Sequence, residues 1–234
     1  MQSWLIDLAS CESTNTWALE HLSELRHGNV VFTRNQTAGR GQFDRVWVSS
    51  SGVLTASFVL EVSIAQLSGF SLIAGLAVIH AIESLLPSQQ GTLRLKWTND
   101  IFAAGRKLAG ILCESRIQAN YARIVVGIGL NCETVPDSVK NAISLRDISG
   151  DIPDRKTLLA QLRTDLMKFC DRSLAELLPE IRARDLLLDR QIVFEVNGQQ
   201  FTGKGAGIDE QGQLLIRLGD EVKRHRSGRV LSID

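Results

Sequence analysis

The sequence predicts an α+β protein in which a mixed, largely antiparallel β-sheet packs against helices and is followed by a small β-barrel. Strand-like runs follow one another between residues 92 and 130 with short turns between them, and such runs favour antiparallel pairing. The apolar stretch at residues 67–86 is long enough for a buried helix. After Arg190 the chain changes to short strand-like runs separated by Gly, Asn and Asp, which indicates the barrel.

The spacing of apolar residues assigns the elements in chain order. Pro87 ends the long apolar helix, and Asp154 is a candidate cap for a later helix. Strands are predicted at residues 4–8, 30–33, 52–60, 92–96 and 121–130, a hairpin at 101–114, and helices at 14–23, 67–86 and 157–178. The barrel strands are predicted at residues 192–196, 199–207, 213–218, 221–225 and 229–233.

The sequence also predicts how the chain is divided into domains and what two of its segments do. We expect a main domain at residues 1–188 and a small barrel at residues 189–234. The polar segment at 132–154 is either a loop over the site that becomes ordered when ligand binds or an ordinary surface connection. The strand at 121–130 could lie at the edge of the sheet and pair with a second subunit or a partner protein.

Composition and charge narrow the class of protein. The 234 residues are 44% hydrophobic, which is enough for a sizeable core. The 26 basic and 26 acidic residues cancel, so bulk attraction to nucleic acid or to an anionic membrane is not expected. A cytoplasmic protein is expected, because the sequence shows no export signal and no uninterrupted apolar span. The four cysteines and four histidines are scattered, which indicates reduced thiols and no protein-held metal site.

Charged and amide side chains are concentrated in an otherwise apolar part of the chain between Leu93 and Leu112. Burying an unpaired charge costs several kcal/mol, so these side chains are expected to face a pocket. The alternative is an ion-paired hairpin end, which would have no binding role. The hairpin turn at Ala103-Ala104-Gly105 would bring Lys107 back towards the corner at Asn99 and Asp100. The residues are Lys96, Asn99, Asp100, Arg106 and Lys107.

A loop rich in glycine and arginine follows the strand at residues 30–33. Gly39 and Gly41 permit close approach of the backbone, and Arg40 and Arg45 supply forked donors for phosphate or carboxylate oxygens. The spacing differs from the dinucleotide fingerprint, so a nucleotide would be held in another way. The loop runs Gln36-Thr37-Ala38-Gly39-Arg40-Gly41-Gln42-Phe43-Asp44-Arg45-Val46-Trp47.

Six stretches along nearly the whole chain resemble, in order, the motifs of the biotin protein ligases, also called biotin acetyl-CoA-carboxylase ligases. The resemblance implies a class II synthetase-like fold, shared with the lipoate ligases, and an SH3-like C-terminal barrel. The stretches are Ser13-Thr14-Asn15, the loop from Gln36 to Trp47, Lys96-Trp97-Thr98-Asn99-Asp100, Lys107-Leu108-Ala109-Gly110-Ile111-Leu112, Gly127-Ile128-Gly129-Leu130-Asn131 and Gly207-Ile208-Asp209-Glu210-Gln211-Gly212.

The resemblance implies a reaction in two steps. The carboxylate of biotin attacks the α-phosphate of ATP, which gives biotinyl-5'-AMP and pyrophosphate. A lysine of a biotin carboxyl carrier protein, a subunit of acetyl-CoA carboxylase, then attacks the mixed anhydride and releases AMP. Mg²⁺ is expected to accompany ATP, held mainly by phosphate oxygens and water. Because two anions must meet in the first step, the site must supply positive charge and oriented donors.

The same resemblance assigns roles to individual residues. Lys107 and Arg40 would be catalytic at the carboxylate and phosphate end, and Asp100 would orient the attacking amine, since an ion-paired carboxylate is a poor base. Biotin would contact Ser13, Thr14, Asn15, Gln36, Gly39, Arg40, Gly41, Lys107, Gly110 and Gly129. ATP would contact Arg40, Gln42, Arg45, Trp47, Asn99, Lys107 and Asn131. Two simpler interpretations stay open: Ser13 or Thr14 as a helix cap alone, and Trp47 as a core residue.

Two positions of the loop depart from the family pattern. Gln42 and Asp44 stand where a basic residue and a glycine are frequent, and Asp44 is expected to pair with Arg45 or Arg40 or to point to solvent. These departures keep open a biotin-sensing module without turnover, and a lipoate-type acyl transferase is a weaker alternative. Thr98 replaces a frequent proline, which is a milder change.

The C-terminal barrel has a second interpretation as a nucleic-acid module that would use Lys223, Arg224, His225, Arg226 and Arg229. The family-like cap is favoured, because the basic run has few aromatic residues to stack bases. Some members of the family also carry an N-terminal DNA-binding helix-turn-helix, whereas the Ser-Thr-Asn motif begins here at residue 13. We therefore expect a monofunctional ligase without nucleic-acid or membrane partners, as a monomer or weak homodimer.

Overall fold

The computed structural model describes residues 3–136 and 138–234, apart from the side chain of Asp44. The strands are β1 (Leu5–Leu8), β2 (Val30–Thr33), β3 (Val53–Ser63), β4 (Arg94–Lys96), β5 (Asp100–Ala103), β6 (Arg106–Gln118), β7 (Tyr121–Asn131), β8 (Gln191–Val196), β9 (Gln199–Ile208), β10 (Leu214–Leu218), β11 (Glu221–His225) and β12 (Arg229–Ile233). The helices are α1 (Thr14–Glu20), α2 (Phe70–Leu85), α3 (Leu145–Ser149), α4 (Arg155–Cys170) and α5 (Leu174–Ala183).

Seven strands form one sheet in the order β1-β2-β3-β7-β6-β5-β4. The first pair, β1 and β2, is parallel, and the other neighbours are antiparallel, which confirms the predicted mixed and largely antiparallel sheet. The prediction that residues 121–130 form an edge strand was wrong. This segment is β7, and it pairs with β3 on one side and with β6 on the other along its length, so its backbone groups are already used.

The hairpin of β5 and β6 turns where the sequence predicts. Ala104 and Gly105 have φ values of 48° and 73°, the left-handed conformation that two-residue hairpin turns require. The pairing places Asp100 opposite Gly110 and Lys107 opposite Phe102. The turn therefore returns the chain to the corner between β4 and β5, where the peptide bond between Trp97 and Thr98 is cis.

Strand alternation separates the two faces of the sheet. Along β3, Leu54, Ala56 and Phe58 join the main core with α2, while Thr55 and Ser57 point to the opposite face. The helix α2 is almost entirely buried and supplies most of the apolar cover on the core side. The other face carries these polar side chains and, where α1 packs on it, a second apolar cluster that includes Ala18, Val59 and Val125. Within residues 3–136 and 138–234, no helix is long and apolar enough to cross a membrane.

The single helix predicted at residues 157–178 is wrong, because the chain forms two helices here. Asp154 caps α4 as predicted, since its side chain accepts hydrogen bonds from Lys156 N and Thr157 N. The helix ends at Cys170, and Ser173 begins α5 by accepting a hydrogen bond from Glu176 N. The sequence signal for this break is a serine followed three residues later by a glutamate, which is a helix start within an apolar pattern that continues across it.

The C-terminal strands form a separate five-stranded antiparallel sheet in the order β11-β10-β9-β8-β12, which confirms the small SH3-like module. It contacts the large sheet at the β4–β5 corner. Trp97 Nε1 donates a hydrogen bond to Gly212 O at 3.0 Å, and Lys96 Nζ donates to Val230 O at 3.3 Å. The corner that carries the predicted charge cluster is therefore fixed partly by the C-terminal sheet.

A buried ion pair joins α2 to the end of α5, and its removal tests the packing of this region. Glu83, whose side chain is 3% exposed, binds the guanidinium of Arg184 through both oxygens at 2.5 and 2.8 Å. We expect Glu83→Gln to lower the free energy of unfolding by about 3 kcal/mol, because it leaves a buried charge without its partner. The control is Glu176→Gln in the exposed pair with Arg172, which should cost less than about 1 kcal/mol. Equal losses in urea denaturation would contradict this account.

Asp185 at the junction of the two sheets predicts a pH dependence of stability. Its Oδ1 accepts a hydrogen bond from Leu187 N, its Oδ2 has no partner in the described part of the chain, and burial raises the pKa of the carboxyl to about 6. Because the folded pKa exceeds the unfolded one, the folded protein holds the extra proton, and stability falls as pH rises from about 4 to about 6.

The variant Asp185→Asn lacks this titration. At pH 7.5 we expect it to gain up to about 3 kcal/mol of unfolding free energy over the wild type, as a shift of about two pKa units implies. Part of the gain is offset because the amide is itself buried. The difference should shrink steadily as pH falls towards 4. Urea denaturation at several pH values measures this, and a difference that stays constant with pH would show that Asp185 does not titrate in this range.

Candidate active site

A cleft with about 640 Å³ of open space lies on the sheet face opposite α2, between α1 and the loop of residues 36–47, which we call the glycine loop. Its floor is formed by β6 and β7, which present small or apolar residues to it. The residues that line the cleft are Ser13, Thr14, Asn15, Gln36, Arg40, Gly41, Gln42, Arg45, Val46, Trp47, Thr55, Asn99, Lys107, Gly110, Ile111, Leu112, Gly127, Ile128 and Gly129.

The structure brings together most of the residues that the sequence analysis singled out. All of the predicted catalytic, biotin-binding and ATP-binding residues line the cleft except Gly39, Asp100 and Asn131. Gly39 lies in the glycine loop, where its carbonyl accepts a hydrogen bond from Trp47 N at 2.8 Å. Asp100 and Asn131 contact Lys107 from outside the lining.

One end of the cleft is a cluster of hydroxyl and amide groups. Gln36 Oε1 accepts hydrogen bonds from Thr14 N at 3.0 Å and from Thr14 Oγ1 at 3.3 Å. Ser57 Oγ lies 2.8 Å from Thr14 Oγ1, within hydrogen-bond distance. Ser13 caps α1 by accepting from Thr16 N, and it also lines the cleft. Capping and ligand contact are therefore compatible for Ser13, and this end can both donate and accept hydrogen bonds.

Another part of the cleft carries the ion pair of Lys107 with Asp100. Lys107 Nζ lies 2.6 Å from Asp100 Oδ1, and the two side chains are 26% and 13% exposed. The distance is that of an ion pair, although the angles are not those of a hydrogen bond. Asn99 is fixed beside them, because its Nδ2 donates to Ile111 O at 2.6 Å. A partly buried lysine with one carboxylate partner can still attract a second anion from the cleft.

The backbone of Lys107 is tied to the segment that follows β7. Lys107 N donates to Asn141 O at 3.0 Å, and Ile143 N donates to Lys107 O at 2.9 Å. Asn131 Nδ2 donates to Lys107 O at 3.4 Å and to Ile143 O at 3.1 Å. The segment at 132–154 thus flanks the lysine, and it contains the short helix α3, which the sequence analysis missed. Its ordering on ligand binding stays a prediction, and Asp137 lies outside the described residues.

Positive charge is concentrated around Asp100. Burial lowers the pKa of Lys96; Asp100 opposes that change, while the nearby charges of Lys107, Arg45 and Arg229 lower the pKa further. These cations come from β4, β6, the glycine loop and the C-terminal sheet. Their mutual repulsion would be relieved by an added anion, so the corner suits a phosphate or carboxylate ligand.

Arg40 lies away from the Lys107–Asp100 pair. Its Nη1 donates to Thr16 Oγ1 at 3.0 Å, and its Nη2 donates to Glu114 Oε1 at 2.7 Å. Arg45 stays within the glycine loop, where its Nε donates to Gln42 O at 3.1 Å. The expected pairing of Asp44 concerns a side chain outside the described part of the structure.

Sequence reasoning missed three polar residues on this face of the sheet: Thr55, Ser57 and Glu114. Thr55 lines the cleft, Ser57 joins Thr14 to Asn15, and Glu114 binds Arg40. The available signal was strand alternation, because Thr55 and Ser57 interrupt the apolar strand β3 at one parity, and Glu114 shares the parity of Gly110 and Leu112 on β6.

The thiols and the acidic residues give no sign of a metal centre. In the described ranges, no group of three or more His, Cys, Asp or Glu residues could hold a metal ion. Cys113 and Cys132 are free, and burial raises the pKa of both thiols to about 12. They are therefore neutral packing residues at ordinary pH.

Comparisons with known proteins agree with this fold and cleft. Residues 8–131 match the model of the biotin/lipoate A/B protein ligase family, and residues 187–230 match that of the biotin protein ligase C-terminal domain. The bifunctional ligase/repressor BirA of Escherichia coli is 32% identical over 231 residues, covering 94% of this chain and 71% of the relative. A biotin--[acetyl-CoA-carboxylase] ligase of Mycobacterium tuberculosis is 32% identical over 216 residues, covering 88% of this chain and 79% of the relative.

A solved structure shares the architecture as well. The biotin protein ligase from Aquifex aeolicus in complex with biotin and ATP has a TM-score of 0.81, is 30% identical, and covers 98% of each chain. The fold and the cleft thus define a ligase, and the chain belongs to the biotin/lipoate A/B protein ligase family. Within that family it is a biotin protein ligase, an enzyme of ATP-dependent biotinylation.

The contact between Trp47 and the cleft floor can be tested by a single methyl group. A Cβ at Gly129 would lie 2.1 Å from Trp47 Cε2, so Gly129→Ala must displace the indole. We expect the variant to lose about 1–3 kcal/mol of unfolding free energy through overpacking. In a Trp47→Ala background the same methyl group should cost less than half as much. Equal costs in the two backgrounds would show that the indole does not pack on Gly129.

Proposed function

We propose that this chain activates biotin with MgATP to give biotinyl-5'-AMP and pyrophosphate, and then transfers biotin to a lysine of a biotin carboxyl carrier protein. The proposal is supported by the presence of two kinds of group at one cleft. One is a cluster of hydroxyl and amide groups at Thr14 and Gln36, and the other is the ion pair between Lys107 and Asp100. The hydroxyl and amide cluster suits a neutral ureido ring. The ammonium of the ion pair suits a site where a carboxylate must approach a phosphate.

The biotin end of the proposed site combines polar donors with apolar walls. The hydroxyls of Ser13 and Thr14 and the amide of Gln36 offer the donors and acceptors that a ureido group needs. Leu112 and Ile128 offer apolar surface for the thiophene ring and the valeryl chain. The contacts of Arg40 with Thr16 and Glu114 favour a biotin-side role over direct contact with phosphates, because they hold its guanidinium beside α1. The remaining biotin contacts, proposed through matching positions, are Asn15, Gly39, Gly41, Gly110 and Gly129.

The first step needs positive charge between two anions. We assign this role to Lys107, whose ammonium would bridge the biotin carboxylate and the α-phosphate as charge develops on the transferred oxygens. Its ion pair with Asp100 at 2.6 Å keeps the ammonium in place before the ligands arrive. The bridging carboxylate of biotin then forms the new C–O–P bond while pyrophosphate leaves with its electron pair. Mg²⁺ enters as part of MgATP, bound mainly by phosphate oxygens.

The nucleotide is proposed to lie against the glycine loop and the β4–β5 corner. Arg45, Gln42 and Asn99 line the cleft here, and Trp47 presents its ring. Lys107 Nζ lies 5.6 Å from the centre of that ring, so the indole helps to position the ammonium as well. The amide nitrogen of Asn131 donates hydrogen bonds to Lys107 O and Ile143 O, so the proposed nucleotide contact would use the side-chain carbonyl oxygen of Asn131.

In the second step a neutral lysine amine of the carrier attacks the acyl carbon and expels AMP. Asp100 is proposed to orient this amine. One oxygen of Asp100 already lies 2.6 Å from the Lys107 ammonium, so orientation is favoured over proton abstraction. We further propose that residues 1–188 carry this chemistry and that residues 189–234 support it, in line with the contacts of Gly212 and Val230 with the β4–β5 corner.

The test of this function is biotin-dependent release of pyrophosphate from MgATP by the wild type and by Lys107→Ala. We expect the variant to lose at least about 100-fold in rate, because it removes the positive charge at the reacting atoms. Lys204→Ala removes a lysine that pairs with Asp189 on the C-terminal sheet and serves as the matched control with normal rates.

The same assay is then run with a biotin carrier domain present. Biotin should reach the carrier in the wild type and in Lys204→Ala only. Biotin binding without pyrophosphate release in the wild type would reject the ligase proposal and indicate a sensing module. Near-normal release in Lys107→Ala would remove this lysine from its assigned role, whatever the carrier result.

A further inference from the structure

Glu114 is placed on the cleft face of the sheet by strand alternation. It follows Gly110 and Leu112 on β6 at the same parity, and both of these residues line the cleft. Glu114 lies seven positions after Lys107, which also lines the cleft, and seven steps span at most about 23 Å along an extended strand. Glu114 therefore stands on the same face as the proposed catalytic lysine but far along the strand from it.

Both carboxylate oxygens of Glu114 are used, each by a different segment of the chain. Oε1 accepts from Arg40 Nη2 at 2.7 Å, and Oε2 accepts from Asn15 Nδ2 at 2.9 Å. Asn15 continues the network, because its Oδ1 accepts from Ser57 Oγ at 2.6 Å. One side chain on β6 thus joins the glycine loop to the first turn of α1.

Arg40 also bonds α1 directly, because its Nη1 donates to Thr16 Oγ1 at 3.0 Å. The remaining links between these two segments lie at the base of the glycine loop or in the ligand's path. Backbone bonds from Thr37 N to Cys11 O and from Ala38 N to Glu12 O fix the base. The direct contact of Thr14 with Gln36 uses the groups proposed for the ureido ring, so biotin competes for it. Once that contact is exchanged for ligand, the bridge through Glu114 still holds the loop at Arg40.

Only a carboxylate satisfies both neighbours at this position. The guanidinium of Arg40 and the amide nitrogen of Asn15 are donors, and an ionised carboxylate accepts from two donors at once without presenting one of its own. A glutamine of the same shape would turn its NH₂ group towards one of them. The pair with Arg40 is partly exposed, at 47% for Arg40 and 25% for Glu114, so its contribution is geometric more than electrostatic.

We propose that Glu114 is a positioning residue for biotin capture, which acts by holding Arg40 and Asn15 in place beside the ureido-binding cluster. This inference rests on the proposed function of the cleft. It predicts a separation of kinetic effects, because Glu114 lies far along β6 from Lys107 and Asp100. Loss of the carboxylate should weaken biotin binding and leave the chemistry at saturating biotin nearly unchanged.

The experiment compares the wild type with Glu114→Gln in pyrophosphate release at varied biotin and saturating MgATP, together with calorimetric titration of biotin alone. We expect the KM and the Kd for biotin to rise about tenfold, the scale of one lost hydrogen bond to a charged group. The value of kcat should stay within about twofold. Glu176→Gln, in an exposed pair with Arg172, is the matched control and should change none of these constants.

A double-mutant cycle on the biotin Kd tests whether Glu114 acts through Arg40. Arg40→Gln should weaken binding, and adding Glu114→Gln to it should weaken binding by clearly less than it does in the wild type. Glu114→Asp keeps both acceptors on a shorter side chain, so it should fall between the wild type and Glu114→Gln. It also replaces Glu114→Gln if thermal unfolding shows that variant to be misfolded.

Three results would overturn the inference: an unchanged biotin KM and Kd, a fall in kcat at constant KM, or tighter biotin binding. The last would mean that Glu114 competes with the ligand for Arg40. Failure of the inference is distinct from failure of the proposed function. The biotin Kd of the variant is measured without turnover, whereas absence of pyrophosphate release by the wild type would reject the function itself.

Discussion

The alternation of side chains along β3, β6 and β7 is the constraint on which the rest of the molecule depends. One face of these strands packs on α2 and forms the core, so the other face can carry the cleft without exposing apolar surface on both sides. Because Gly110 and Gly129 have no side chains, the backbone of that second face leaves space for an indole and a ligand to lie against it. The long pairing of β7 with both neighbours makes this floor rigid.

Charge is distributed over this floor in two separate pairs. Lys107 with Asp100 stands at the β4–β5 corner, and Arg40 with Glu114 stands beside α1. Each cation has a carboxylate partner, which lowers the cost of holding it in a partly buried position. Among the described side chains, positive charge accumulates at the corner, where Lys96 and Arg45 add to Lys107. In the proposed function, this arrangement would orient an anionic substrate with its charge towards the corner.

Local patterns in the sequence were sufficient for what is local in the structure. The hairpin turn at Ala104 and Gly105, the cap at Asp154 and the approximate positions of the strands follow from spacing and turn chemistry. The family-like motifs also led to most of the cleft lining. Non-local pairing could not be derived this way: the interior position of β7 depends on β3, and the partners of Glu114 lie about 74 and 99 residues away along the chain. The break before α5 was hidden because its apolar spacing continues across Ser173.

The hydrogen bond from the indole of Trp97 to Gly212 O bears on how far the chain could be shortened. A fragment that stops before the C-terminal sheet would leave a buried donor without its acceptor and would uncover the apolar surface around it. The β4–β5 corner would lose its backing at the place where Asp100 meets Lys107. Although the last strands do not line the cleft, they hold the corner from behind, and we expect a fragment without them to lose the fixed position of that corner.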